Sequence, residues 1–194
     1  LAAETPLIKM ITEQRRLHRC VSIQEDHARG LTPPFSDVGF IKPAAVNLIE
    51  QGVYRDCLVD SRSGREYGAS VNAASEYPES LAMAPGSLAR DDICEALGTG
   101  LLINNLWYGN FSDRNNCRLT GMTRFACFWV EDGIIQAPLN VMRFDETVYN
   151  LLGDHLLGLS AERELIFDNS SYGGRSYRSY LLPGALVDGM AFTL

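Results

Sequence analysis

The sequence predicts a strand-rich α+β domain with a mostly antiparallel sheet built from hairpins and a few short helices. Short apolar runs joined by glycine-containing turns recur, most clearly at residues 47–53 (NLIEQGV) and 129–134 (WVEDGI). Glycine takes positive φ at low cost, so this pattern favours hairpins. Helical periodicity is confined to short segments, and no Gly-x-Gly-x-x-Gly or phosphate-loop pattern favours a nucleotide-binding α/β fold.

The N-terminal elements follow from local turn and cap signals. Residues 6–20 have a loose helical period, after which Pro33 and Pro34 stiffen the chain into an extended form. Residues 45–60 predict a hairpin that turns at residues 50–52. Asp60 is the predicted N-cap of a short helix over residues 61–67, which Gly68 ends.

The middle of the chain predicts a second short helix followed by strands. An apolar segment, residues 81–84, precedes an acidic helix over residues 91–97, with aspartates at the helix N-terminus. Strands are expected over residues 101–108 and 123–131, separated by a polar loop (109–118) and a glycine-containing elbow (120–124). A turn at residues 131–133 leads into a strand over residues 134–142.

The C-terminal part predicts one more helix and then strands. Asp145 is the expected N-cap of a helix over residues 146–157, with apolar side chains near one face. Residues 165–194 read as strand, with strands over residues 176–182 and 185–192 on either side of Pro183 and Gly184. We expect two parts, an N-terminal lead-in (1–34) and a main domain (35–194), with further sequence upstream because the chain begins at leucine.

Composition disfavours several classes of partner. The 194 residues are 46% hydrophobic, enough for a substantial core, and carry a net charge of −7 without a basic block. Nucleic acid and anionic membranes are therefore disfavoured as main partners, and no apolar run approaches a membrane span. The five cysteines contain no Cys-x-x-Cys pair, which favours reduced thiols in a cytoplasmic protein.

No residue pattern predicts a metal site within the chain. His18 and Cys20 form the only close His/Cys pair, but no third ligand follows in register. His27, in the sequence Glu-Asp-His at residues 25–27, could contribute to a weak metal site, but an exposed turn is the favoured expectation. His155 is expected at the half-buried edge of a helix.

The best candidate for an activated thiol is Cys117. It lies between Arg114 and Arg118, which we expect to lower its pKa. No histidine is near it in sequence, so a cysteine hydrolase would need a partner brought close by the fold. Gly-x-Ser-x-Gly is absent, which disfavours a serine hydrolase.

The polar loop and elbow are the best candidate for a binding site. They concentrate side-chain donors between strands, and such loops often line clefts; a plain turn is the alternative. The candidate peptide-binding residues are Arg114, Asn116, Thr120, Thr123 and Arg124.

Several segments, in a shared order, resemble the C-terminal half of the TldD/PmbA family. They are residues 34–39 (PFSDVG), 47–60 (NLIEQGVYRDCLVD), 101–107 (LLINNLW), 120–124 (TGMTR), 128–134 (FWVEDGI) and 181–189 (LLPGALVDG). The family's Pro-Phe-Asp-x-Glu-Gly element is matched with valine in place of its glutamate. The family's zinc helix, a His-Glu-x-x-x-His pattern, does not occur in the chain.

The resemblance implies a cytoplasmic zinc-peptidase system in which a zinc-bearing subunit pairs with a metal-free sister. Residues 168–175 (DNSSYGGR) hold no cysteine where the zinc subunit has its ligand. The chain thus lies nearer the PmbA/TldE-like branch, with no catalytic or metal residue of its own and zinc expected in the full system or the partner. We expect it to hold extended peptide by strand addition and to pair with a sister subunit. The alternative is a non-catalytic scaffold or oligomerisation domain without a ligand site.

Overall fold

The computed structural model describes residues 7–169, 171 and 174–193. They form two compact units, one from residues 19–85 and the described residues of 163–183, the other from residues 7–18, 86–162 and 184–193. Strands dominate, pairing is mostly antiparallel and the helices are short, which confirms the predicted fold class. Within the described ranges, no helix has the length and apolar character needed to cross a membrane.

The elements are short and most are strands. The strands are β1 (Ile23–Glu25), β2 (Val46–Glu50), β3 (Val53–Tyr54), β4 (Ser80–Met83), β5 (Gly100–Ile103), β6 (Leu106–Asp113), β7 (Arg118–Thr123), β8 (Cys127–Glu131), β9 (Ile134–Pro138), β10 (Arg143–Thr147), β11 (Leu156–Phe167), β12 (Ser179–Val187) and β13 (Phe192–Thr193). The helices are α1 (Ile8–Thr12), α2 (Ser61–Tyr67) and α3 (Ile93–Leu97), with a 3₁₀ turn at Arg90–Asp92 and a π-helical turn at Asn150–Asp154.

The first unit contains the β2–β3 hairpin and α2, both as predicted. A six-stranded sheet has the order β11-β12-β4-β1-β2-β3, in which β12 and β4 are parallel. Gly52 turns the hairpin with a φ of 75°. Asp60 caps α2 by accepting hydrogen bonds from the backbone N–H groups of Arg62 and Ser63, at 3.0 and 2.9 Å. Gly68 ends the helix at a φ of 66°.

The second unit contains two antiparallel sheets, with the orders β13-β10-β7-β6 and β5-β8-β9. The predicted turn at residues 131–133 joins β8 to β9, and its Asp132 and Gly133 have φ values of 50° and 76°. Positive φ at both central residues suits a tight hairpin. Val130 of β8 and Phe144 of β10 are among the buried apolar side chains of this unit.

Most of the residues predicted to form a polar loop (109–118) and an elbow (120–124) are in strands, so that prediction is wrong. Residues 109–113 belong to β6, and residues 118–123 form β7, so only residues 114–117 turn the chain. Strand β7 pairs with β6 on one side and with β10 on the other. Pairing on both sides imposes extended structure on a polar segment whose composition favours a loop.

The predicted helix over residues 146–157 is shorter than expected. Residues 143–147 form β10, which pairs with β7, and only residues 148–154 are helical, ending in a π-helical turn before β11. Asp145 does not cap a helix, because its carboxylate accepts a 2.8 Å hydrogen bond from Arg118. Thr147 instead accepts the N–H of Asn150 and so starts the short turn.

Other boundaries shift where strands break or continue. The segment predicted as one strand over residues 101–108 divides into β5 and β6, and the segment 123–131 divides between β7 and β8. Pro183 and Gly184 lie within β12 instead of separating two strands. Among the described residues of the segment 6–20, only α1 is helical, and the acidic helix begins as a 3₁₀ turn without a side-chain cap.

His27 does not lie on an exposed turn. It is 5% exposed, next to the equally buried Asp26 and to Glu25 at the end of β1, which is 1% exposed. Its Nδ1 lies 2.9 Å from the carbonyl oxygen of Pro43. The error arose because three polar residues in a row are typical of a surface turn, whereas here they join a buried polar network.

Candidate functional site

The five predicted binding residues lie on or next to one hairpin of the second unit, formed by β6 and β7. Arg114 and Asn116 are in its turn, Thr120 and Thr123 are on β7, and Arg124 follows β7 directly. The structure therefore places them along one element. Their side chains, however, have different environments.

Arg124 forms an exposed stack with two aromatic rings. Its guanidinium carbon lies 4.3 Å from the ring centroid of Trp107 and 5.7 Å from that of Phe125. The two rings are 51% and 59% exposed. We call this group the Trp107–Arg124–Phe125 stack. It combines a cation with flat apolar surface, a combination that suits recognition of peptide or aromatic groups.

Arg114 and Asn116 stabilise the turn at the other end of the hairpin. Arg114 is exposed and its guanidinium lies 5.2 Å from the ring centroid of Phe111. Asn116 donates to the carboxylate of Asp113 from both its backbone N–H, at 3.1 Å, and its side-chain amide, at 2.5 Å. These hydrogen bonds lower the pKa of Asp113. The turn is thus closed by its own side chains.

Thr120 and Thr123 connect β7 to the chain around β10. Thr120 donates a 3.0 Å hydrogen bond to the carbonyl oxygen of Phe144. Thr123 is 1% exposed, and its hydroxyl accepts the N–H of Met142 at 2.9 Å. Thr123 therefore has a structural position, whereas Arg114 and Arg124 are the exposed members of the predicted set.

Strand β6 forms one end of its sheet among the described strands. Its side chains are largely exposed, including Leu106 at 48% and Tyr108 at 79%. Two register shifts against β7 each insert one extra residue into β6, near Tyr108 and near Ser112. Such bulges interrupt the regular spacing that an added strand would use.

A cavity of about 440 Å³ lies beside the hairpin turn in the second unit. Its lining is mostly polar: Lys9, Glu13, Arg15, Asn116, Arg118, Thr147, Tyr149 and Asn150. Its three cations are paired: Lys9 lies 3.8 Å from Glu13, Arg15 lies 2.6 Å from Asp154, and Arg118 lies 2.8 Å from Asp145. Sequence reasoning missed Lys9 and Arg15, which lie about a hundred residues from the turn and carry no local signal.

Cys117 is not an activated thiol. It is 4% exposed, and burial raises its pKa to about 11, opposite to the expected direction. The neighbouring arginines are engaged elsewhere, Arg114 over Phe111 and Arg118 with Asp145. A cysteine hydrolase that uses Cys117 is therefore disfavoured.

A group of potential metal ligands lies in the first unit and includes Glu25 and His27, for which the sequence suggested at most a weak site beside the favoured exposed turn. Glu25, His27 and Glu79 each place one ligand atom within 4.8 Å of the others. The spacing of Glu25 and His27 by two residues would have placed both on one side of an extended strand. Glu79 is too distant in sequence for any motif to include it. Of the segment 168–175, expected to correspond to the family's cysteine ligand, residues 170, 172 and 173 lie outside the described residues.

One family model and several solved structures match this chain. The model of the PmbA/TldA metallopeptidase C-terminal domain matches residues 4–194. TldE from Thermococcus kodakarensis has a similar fold, with a TM-score of 0.76 at 17% identity over 99% of this chain and 46% of that one. A proposed modulator of a DNA gyrase from Thermotoga maritima gives 0.75 at 18% identity, over 98% and 42%. Another from Bacteroides thetaiotaomicron gives 0.72 at 15% identity, over 98% and 40%.

These matches define what the chain corresponds to. It spans less than half the length of each of the three structural relatives. The comparison with curated protein sequences gives no significant match. The family model covers almost all of the sequence. This chain therefore belongs to the PmbA/TldD family and corresponds to its C-terminal domain.

Proposed function

We propose that this domain holds an extended peptide and pairs with a partner subunit in a cytoplasmic zinc-peptidase system. The observation that supports peptide binding is the Trp107–Arg124–Phe125 stack beside the outer edge of β6. An extended peptide would add to that edge through backbone hydrogen bonds, while the stack would contact its side chains. This proposal places no catalytic residue in the chain.

The proposed contact at Arg124 has a direct test. We expect Arg124→Ala to weaken binding of a pool of fluorescein-labelled, unstructured peptides about two- to tenfold in an anisotropy titration, because an exposed cation–π group contributes roughly 0.5–1 kcal/mol and more when desolvated. The far-UV circular dichroism should not change. Arg62→Ala is the matched control, because the side chain of Arg62 is 89% exposed on α2 in the first unit. Unchanged affinity in the Arg124 variant would refute the role of the stack.

We place the peptidase zinc outside this chain, in the full system or in the sister subunit. The sequence has no His-Glu-x-x-x-His pattern, and hydrolysis by zinc-activated water needs such a ligand set. We then expect peptidase activity only in samples that contain the zinc-bearing part, and a chelator should abolish it. Adding the 194-residue chain should not remove this dependence on zinc. Chelator-sensitive peptidase activity of the 194-residue chain alone would contradict this assignment.

A scaffold or oligomerisation domain is the second candidate, and a specific observation favours it. The two bulges in β6 hinder strand addition, whereas the apolar side chains of β6 would still suit a flat protein interface. On this alternative the peptide pool would not bind. The chain would instead associate with itself or its sister subunit, and sedimentation velocity would detect association that Trp107→Ser weakens.

A further inference from the structure

The first unit contains a cluster of polar side chains, Glu25, His27 and Glu79, in which there are more hydrogen-bond acceptors than donors. The side chains of Glu25 and His27 are 1% and 2% exposed, and that of Glu79 is 23% exposed. Oε1 of Glu25 accepts hydrogen bonds from the backbone N–H groups of Glu79, at 2.8 Å, and of Ser80, at 2.6 Å. Its other oxygen, Oε2, is buried without a hydrogen-bond partner among the described residues. A buried carboxylate oxygen without a partner is costly.

The hydrogen bond of His27 determines which of its nitrogens faces Glu25. Nδ1 lies 2.9 Å from the carbonyl oxygen of Pro43, and a carbonyl only accepts, so Nδ1 carries the proton. In the neutral imidazole, Nε2 is then an acceptor, 3.4 Å from Oε1 of Glu25. Two acceptors therefore face each other in a buried place. A histidine that binds a metal through one ring nitrogen usually donates the N–H of the other to a carbonyl or carboxylate, as Nδ1 of His27 does here.

The cations near Glu25 and His27 are paired with other carboxylates, so the charge balance allows one more cation to bind here. Lys42, whose side chain is 2% exposed, bonds Oε2 of Glu79 at 2.6 Å and neutralises that carboxylate. Asp26 is occupied by the side chain of Gln24, at 3.0 Å, and lies 3.8 Å from Arg29.

We propose that Glu25, His27 and Glu79 bind one divalent transition-metal ion, distinct from the peptidase zinc. Two carboxylates and an imidazole are ligands that Zn²⁺ accepts. Two ligand atoms each about 2.0–2.1 Å from a tetrahedral ion lie roughly 3.3 Å apart, close to the 3.4 Å between Nε2 of His27 and Oε1 of Glu25. Glu25 and Glu79 each supply one carboxylate oxygen, and these ligand atoms lie within 4.8 Å of one another and of the ligand nitrogen of His27.

The role of this ion is to connect segments distant in sequence. Glu25 ends β1, His27 follows it, and Glu79 directly precedes β4, so the ion would fix the register at which β1 and β4 pair. Glu79 is the most exposed of the three ligands and therefore gives the entry side. Three protein ligands leave a fourth position for water. The site lies in the first unit, so it stands or falls independently of peptide binding at β6.

The test is a titration of the 194-residue chain with Zn²⁺ after removal of bound metal. Calorimetry should give one site that His27→Gln abolishes, and a hundredfold excess of Zn²⁺ over its Kd should raise Tm by about 5–10 °C. His155→Gln is the matched control, since His155 lies in the second unit and should leave that site unchanged. Alkylating the cysteine thiols before the titration removes Zn²⁺ binding by thiols, so any binding that remains belongs to other groups. Absence of a site, or a site unaffected by His27→Gln, would overturn the proposal.

A second variant, Glu25→Gln, tests the metal site with a substitution that should not prevent folding. The glutamine oxygen can still accept the amides of Glu79 and Ser80, and its NH₂ can donate to Nε2 of His27. We expect Zn²⁺ affinity to fall at least tenfold while the Tm of the metal-free chain is kept or raised. If instead His27 is protonated and paired with Glu25, the same variant will lower the metal-free Tm and the wild-type chain will not bind Zn²⁺, which contradicts the proposal.

Discussion

The environment of Cys117 shows why charge near in sequence does not decide the reactivity of a residue. Arg114 and Arg118 lie on either side of it, yet their guanidinium groups contact Phe111 and Asp145. Cys117 has a positive φ of 47° in the hairpin turn and is buried. Desolvation is the cause of its raised pKa, because burial disfavours the thiolate. The residue is therefore a small core side chain.

We expect Cys117 to alkylate more slowly at pH 8 than the partly buried Cys57 and Cys94, as followed by mass spectrometry of the native protein. Its folded pKa of about 11 exceeds the ordinary value of 9.0. Its contribution to stability is therefore present below pH 9 and is lost as pH rises toward 11. Cys117→Ala should lack this part of the alkaline decrease in urea stability. Rapid alkylation, or an identical alkaline decrease in the variant, would disprove the assignment.

Elements defined by neighbouring residues were predictable, and elements defined by distant pairing were not. The β2–β3 hairpin and α2 follow from Gly52 and from the Asp60 cap, each of which acts within a few residues. Strand β7 is extended because β6 and β10 pair with it, and the sequence of β7 does not encode those partners. For the same reason the sequence indicated the segment that carries the candidate site, but it indicated neither the pairing of β6 with β7 nor the burial of Thr123.

Local spacing also marks the limit for the polar group in the first unit. The sequence Glu-Asp-His at residues 25–27 suggested at most a weak site, although its first and third residues would lie on one side of a strand. The burial of these two residues and the third member of the group depend on the pairing of β1 with β4, which brings Glu79 to Glu25. Sequence reasoning therefore assigned His27 to an exposed turn. Only the fold shows that its Nε2 faces a carboxylate.

The packing of β7 against β10 depends on a glycine within the strand. A Cβ on Gly121 would lie 2.7 Å from Cε1 of Phe144 and 3.0 Å from the carbonyl oxygen of Trp107. We therefore expect Gly121→Ala to lower the free energy of unfolding by about 1–3 kcal/mol, as overpacking does. Gly109→Ala is the matched control in β6, because the described residues place no atom within 4 Å of its Cβ. Equal urea midpoints for the two variants would contradict this expectation, because they would mean that β7 and β10 can move apart at little cost in free energy.

At the scale of the whole molecule, two opposing features govern association between copies. The net charge of −7 and the isoelectric point near 5.0 make copies repel each other at neutral pH. Against this, the second unit exposes large apolar side chains, including Tyr108 at 79% and Ile134 at 64%. Apolar surface of this kind associates when repulsion is removed. Net charge therefore determines the pH and salt concentration at which copies of the chain stay separate.

We expect the weight-average sedimentation coefficient to rise as pH is lowered from 7.5 toward 5.0, because net charge approaches zero while the apolar side chains stay exposed. Added salt at pH 7.5 should have a smaller effect in the same direction, since it screens the same repulsion. Ile134→Thr removes apolar surface from β9 without changing charge, and should reduce the association near pH 5. Far-UV circular dichroism at each pH separates association from acid unfolding. A sedimentation coefficient independent of pH and salt would mean that the exposed side chains of β6 and β9 do not drive association, and the scaffold alternative would lose its main support.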